Sequence, residues 1–247
     1  MTRIDEIVDG IYRICTPVDV GEFDFQFNQF LIDDERPALI HTGMHGMYDD
    51  VRSAVAQVLD PGRLQYVALL HFESDECGGM YRFLEGAPDS TLTCSAASVQ
   101  LNLSGWDYTG RVEGHEDGDV IDLGRHKLRF LETPHVHHWD SMMLFDETTK
   151  SLFPSDLFIQ PGDQPPVVTE SLGPAMCGFY REMGIFAHEA PVRGREPHRA
   201  ARPGLDPWHA RRQPRPRDGP RLRAGAARGA VRLPGQGART RARLTAR

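Results

Sequence analysis

Five apolar residues, Tyr66-Val67-Ala68-Leu69-Leu70, run without a break into His71-Phe72-Glu73-Ser74-Asp75-Glu76. So short an apolar run, bounded by polar residues, reads as a strand buried on both faces. The imidazole and carboxylate groups that follow are then delivered to the edge of a rigid sheet, where functional residues concentrate. The pattern recurs twice. A strand over 128–131 precedes His135-Val136-His137-His138-Trp139-Asp140, and Leu152-Phe153-Pro154 precedes Asp156.

The remaining periodicities fill in a layered domain. Residues 7–14, 28–32 and 38–40 read as strands. Residues 48–59 read as an amphipathic helix, with Val51, Val55, Val58 and Leu59 on one face and Asp60-Pro61-Gly62 as its stop. A short helix is expected over 77–84. Hairpins are expected around Gly124, joining 120–123 to 128–131, and around the acidic turn 146–149, joining 142–145 to 151–153. The last helix is expected over 174–190. Strands joined by occasional helices fit an α/β or α+β domain. No repeat, dinucleotide fingerprint or phosphate loop interrupts it.

The clustered residue types point to a metal. Imidazole suits Zn, Fe, Cu or Ni, and carboxylates favour harder cations such as Mn and Fe. Carboxylates folded into a domain need a counter-charge, which a metal pair supplies. Asp156, alone between apolar stretches, is placed to bridge two ions. The mixed set follows the ligand logic of non-haem diiron sites more than that of a Cys-rich structural zinc site. Other nearby residues have plainer readings. His41 and His45, in His41-Thr42-Gly43-Met44-His45-Gly46, read as incidental to a glycine-shaped turn, with a supporting role behind the ligands as the alternative. Trp139, Met142 and Met143 read as packing, and Cys77 as a small buried residue.

Three motifs carry a family resemblance: His71-Phe72-Glu73-Ser74-Asp75, Thr133-Pro134-His135-Val136-His137, and Phe153-Pro154-Ser155-Asp156. Eighteen residues lie between His137 and Asp156, and Asp140-Ser141-Met142 follows the histidine run, selecting His137 over His135 and His138. The whole resembles the diiron domain of flavodiiron proteins, in the metallo-β-lactamase superfamily, over about residues 5–190. The resemblance implies a four-layer αββα sandwich with an incomplete C-terminal part. It implies two iron ions, with zinc and manganese as alternatives: His71, Glu73 and His137 for one, Asp75 and Glu76 for the other, and Asp156 between them. It also implies binding or reduction of dioxygen or nitric oxide, a redox partner in trans, and a homodimer. Zinc hydrolases of the superfamily have His at the position of Glu73, so hydrolysis of an ester, thioester or lactone is the second reading. Two departures stand out. The family has His directly after the Asp, where this chain has Glu76. It also uses a late histidine, for which His209 is the nearest in-frame candidate. The chain ends where a flavodoxin domain would begin, so no FMN site is expected within it.

Composition divides the chain. Residues 1–192 carry 12 basic and 32 acidic side chains, a formal net charge of −20, whereas 193–247 carry 16 basic and three acidic ones, a net +13. From about residue 191 the sequence is Arg, Pro, Ala and Gly without an apolar period. That composition cannot bury enough surface to offset the entropy of ordering. The expected organisation is a diiron domain over 1–190 and, over 191–247, a disordered basic tail or the product of a frameshift. Residues 208–214 can be encoded by TGG CAT GCA CGG CGG CAG CCT, one choice among degenerate codons. Read one base on, they give Gly-Met-His-Gly-Gly-Ser, a histidine in a glycine-rich loop. No apolar run approaches the ~18 residues of a membrane span, the acidic N-terminus lacks signal-peptide character, and nucleic acid is not an expected partner. Cys15, Cys77, Cys94 and Cys177 are widely spaced, so a disulfide framework is not expected and a reducing cytoplasm is.

Overall fold

Alternate residues of the central strands serve two different cores. The structure, a computed structural model, describes residues 1–19, 24–106, 108–171 and 173–183. Its larger sheet has seven strands in chain order: β1 (Arg3–Val8), β2 (Ile11–Asp19), β3 (Asp24–Ile32), β4 (Ala38–Ile40), β5 (Tyr66–Ala68), β6 (Thr91–Ser95) and β7 (Arg111–His115). Pairing is antiparallel from β1 to β4 and parallel from β4 to β7. Parallel neighbours need crossovers. These carry the helices α1 (Tyr48–Val55), α2 (Ser74–Cys77), α3 (Met80–Gly86) and α4 (Ala96–Leu101). The second sheet is antiparallel, in the order β11 (Leu152–Phe153), β10 (Met142–Asp146), β9 (Lys127–Glu132), β8 (Val120–Asp122).

In β4, Leu39 packs with Val51, Val55 and Phe83 of the helical layer, while Ala38 and Ile40 face the second sheet. Val67 and Ala68 of β5 divide in the same way. Between the sheets lie Leu70, Leu128, Phe130, Met142, Leu144 and Phe153, each at most 2% exposed. Each such side chain is worth about 1.5–3 kcal/mol when fully buried. The helical layer and both sheets of the expected sandwich are therefore present among the described residues. The last described element, α5 (Gly173–Met183), stacks Phe179 on Phe25 of β3.

Several boundaries differ from the sequence reading. Residues 7–14 are a hairpin and not one strand, because Gly10 turns the chain at φ +74° and its carbonyl accepts from the Asp33 amide. The helix from Tyr48 ends at Val55; through Leu59 the bonding tightens to a mixture of α and 3-10 turns. The helix expected over 77–84 is two short ones, α2 and α3, split at Gly78-Gly79. Beyond Met183 the expected end of the last helix, the basic segment and His209 all lie outside the described residues.

Candidate metal centre

The C-terminal ends of β4, β5, β9 and β11 meet at one place. His71, beyond β5, is 1% exposed. Its Nδ1 lies 2.8 Å from Ser155 Oγ. Its Nε2 lies 3.3 Å from Glu73 Oε2, 3.4 Å from Glu76 Oε2 and 3.5 Å from Asp156 Oδ2. His137, on the loop after β9, brings its Nε2 to 2.9 Å from both Glu73 Oε2 and Asp156 Oδ2. One donor atom each from His71, Glu73, His137 and Asp156 lies within 4.8 Å of the others, and Glu73, Asp75 and Glu76 form a second set of the same kind. All six residues singled out in 1–190 therefore come together. The carboxylate common to the two sets is Glu73, with Asp156 close enough to Glu76 to repel its charge.

The backbone is bent to make this arrangement. Four non-glycine residues have positive φ among those described, and His41 (+61°), His135 (+67°) and Ser155 (+53°) flank the cluster. Such residues are uncommon and collect where function constrains the chain. The histidine loop is pinned from beneath by Asp140, 4% exposed, which accepts from Asn102 Nδ2 at 2.9 Å and also bonds Ser98 Oγ and His138 Nδ1. That pairing turns His138 away from the donor sets, and His135 is exposed.

Electrostatics test whether these residues fit metal ions. Among the described residues, every ion pair of Glu73, Glu76 and Asp156 is to a histidine and none is to lysine or arginine. Burial, then the charges of Asp156 and Asp75, push the Glu76 carboxyl well above its ordinary range. Its Oε2 is buried with no hydrogen-bond partner. Asp156 is driven up by burial, yet the hydrogen bond from His137 and the neighbouring His71 hold it below the usual value. Glu73 is lowered by its hydrogen bond from His71, and His137 is raised by Asp156. Four crowded carboxylates with only imidazoles to balance them are what a multivalent cation stabilises. The donor set, oxygen-rich with two Nε2 atoms, suits iron or manganese better than a thiolate-seeking ion.

A family model described as ODP family beta lactamase matches residues 25–187. The chain belongs to this family. Its domain is of the metallo-β-lactamase type and resembles the diiron domain of flavodiiron proteins. The nitric oxide reductase of Moorella thermoacetica is 29% identical over 173 residues, covering 65% of this chain and 43% of that protein. The rubredoxin-oxygen oxidoreductase of Megalodesulfovibrio gigas is 27% identical over 168 residues, covering 63% and 41%. The chain thus spans less than half the length of these two relatives. Among solved structures, a variant of the flavo di-iron protein of Thermotoga maritima shares the fold with a TM-score of 0.65 at 19% identity, over 76% of this chain and 51% of that one.

The structure also gives definite roles to residues that the sequence reading named without assigning one. Ser155 and Asp140 brace His71 and the histidine loop, and only adjacency to Asp156 and His138 hinted at them. His41, read as incidental to a turn with a supporting role behind the ligands as the alternative, is 7% exposed and stands edge-on to His71 at 5.9 Å between ring centroids, which favours the alternative. Burial, then His71, lower its pKa to about 3, so its ring is neutral. His45 is exposed, as a turn histidine would be. Met142 and Met143 are buried packing residues. Cys77 is half-buried, and burial pushes its thiol up to about 11, away from a reactive thiolate.

Proposed function

We propose that this chain holds a non-haem diiron centre that binds dioxygen or nitric oxide and reduces it when electrons are supplied in trans. The observation carrying the reading is the convergence of His71, Glu73, His137 and Asp156 beside Asp75 and Glu76, with no lysine or arginine among the described residues paired to their carboxylates. His71, Glu73 and His137 would hold one iron, Asp75 and Glu76 the other, with Asp156 between them. The iron pair would supply the redox chemistry. The protein orients the ligands: Ser155 fixes the His71 ring so that Nε2 faces the cluster, and Asp140 holds the loop that carries His137. The names of the relatives, a nitric oxide reductase and an oxygen oxidoreductase, support the gas chemistry. Hydrolysis of an ester gains no such support. No described helix is long and apolar enough to cross a membrane.

The test is anaerobic loading with iron(II), followed by air or nitric oxide. A new near-ultraviolet or visible band is the expected result, and a flat spectrum at full iron occupancy overturns the proposal. We further propose that residues 1–190 form this domain, that 191–247 arose from a shifted reading frame, and that the chain assembles as a homodimer. Resequencing the gene around codons 190–195 decides the frame, and sedimentation decides the assembly.

A further inference from the structure

Glu76 stands where the family pattern has a histidine, and a buried carboxylate has needs that a histidine lacks. It is 6% exposed and bracketed by two imidazoles. Oε2 lies 3.4 Å from His71 Nε2, and Oε1 lies 3.9 Å from His41 Nδ1. The second contact is directional. The Leu70 amide donates to His41 Nε2 at 3.3 Å, which occupies that nitrogen's lone pair. In a neutral ring the proton then sits on Nδ1, the atom that faces Glu76.

The relative position of the two residues is also fixed through the backbone. The Thr42 amide and the Thr42 hydroxyl both donate to the Glu76 carbonyl at 2.7 Å. The Gly79 amide in turn donates to Thr42 Oγ1 at 3.1 Å. The loops after β4 and β5 are thereby bolted together at Glu76. His41 itself is held at φ +61°, and its amide donates to the Ala68 carbonyl at 2.8 Å. An imidazole buried at a left-handed backbone position, with a main-chain donor on one nitrogen and a carboxylate facing the other, is a poor candidate for filler.

We infer that His41 is the positioning residue for Glu76: anchored by the Leu70 amide, it presents a donor to Oε1, so that Oε2 would remain available to a cation held with Asp75. His41 is not itself a ligand, because ligation through Nδ1 would displace the only proton the anchored ring carries. Closing the 3.9 Å gap to a hydrogen bond takes a shift of about 1 Å, and such contacts tighten when a site is filled. The inference rests on the two-iron reading of the cluster.

The experiment is anaerobic titration of the full-length chain with iron(II), following both binding steps and the thermal midpoint. Variants are His41→Phe, His41→Asn, Glu76→Gln and the double His41→Phe/Glu76→Gln. His41→Phe keeps an aromatic ring and loses both hydrogen-bonding atoms, so the second step should weaken 10–100-fold and the first should not move. His41→Asn tolerates positive φ and offers an acceptor and a donor, so it should recover most of that loss. Because His41 acts through Glu76, His41→Phe should add nothing in the Glu76→Gln background. An unmoved second step in His41→Phe with a wild-type thermal midpoint overturns the inference, and so does a loss in His41→Asn as large as that in His41→Phe. Equal weakening of both steps, or additive losses in the double variant, also overturns it. A wild-type chain that takes up a single iron overturns the two-iron reading, and this inference with it.

Discussion

Ser155 sits between two functions: its backbone turns at φ +53° to bring Asp156 round, and its hydroxyl holds His71 Nδ1. A ring held at one nitrogen presents the other in a fixed tautomer and direction. Ser155→Ala is expected to lower iron affinity 10–100-fold with little change in folding, read by competition with a chelator. Asp146 illustrates a purely structural carboxylate. Although buried, it is held at about pKa 2 by Thr149 and His126, and it also accepts from the Lys127 and Thr148 amides. Its folded pKa lies below the unfolded one, so its stabilisation is present above about pH 4 and is lost as pH falls towards 2. Asp146→Asn should cost about 1–3 kcal/mol near neutrality and remove that acid limb, measured as the urea midpoint against pH. His71, Glu73, His137 and Asp156 were legible in the sequence because each follows an apolar strand. The bracing role of Ser155 was not, His41 as support for the ligands was only the second choice, and Asp140 was read only as a marker for His137, because these roles depend on partners that tertiary folding brings together.

Among the elements, the junction of α2 and α3 is the most confined. A Cβ on Gly78 would lie 2.5 Å from the Ser74 carbonyl oxygen and 2.8 Å from the Met44 carbonyl carbon, both backbone atoms that cannot rotate aside. Gly78→Ala should therefore displace α2, with Asp75 and Glu76 on it, at a cost of about 3 kcal/mol. Calorimetry and iron stoichiometry together would check both parts, and a wild-type result in either would show that the junction can relax. The strands were easier to foresee than the helices. β5 and the hairpins over 120–132 and 142–153 announce themselves by apolar runs and turn residues. The helix over 77–84 could not be divided correctly from sequence, since the close approach that demands Gly78 comes from the loop at Met44-His45. The hairpin at Gly10 was missed because apolar residues continue on both sides of it.

For the whole molecule, metal removal is the decisive perturbation. Ligands come from both sheets, so ions bound to the folded chain add stability by mass action, about 2.7 kcal/mol at a free concentration a hundred times the dissociation constant. Chelation should lower the melting temperature by on the order of 5–10 °C for a domain of this size, and an unchanged scan would show that the centre contributes nothing to the fold. The layered architecture was legible from the alternation of two-faced strands. Residues 184–247, with His209 among them, lie outside the described structure, and their composition alone marks them as different. A last consequence follows from the placement of the donors on loops after β5, β9 and β11. Residues 71–76 carry four of the six donors in one stretch, but the set of His71, Glu73, His137 and Asp156 is assembled from three separate places in the chain. On the two-iron reading, the set that includes His71 is incomplete while the polypeptide is being made, until Asp156 has emerged and the sheets have closed. On that reading, full metallation follows synthesis, and the ion of that set meets a fold that is already closed.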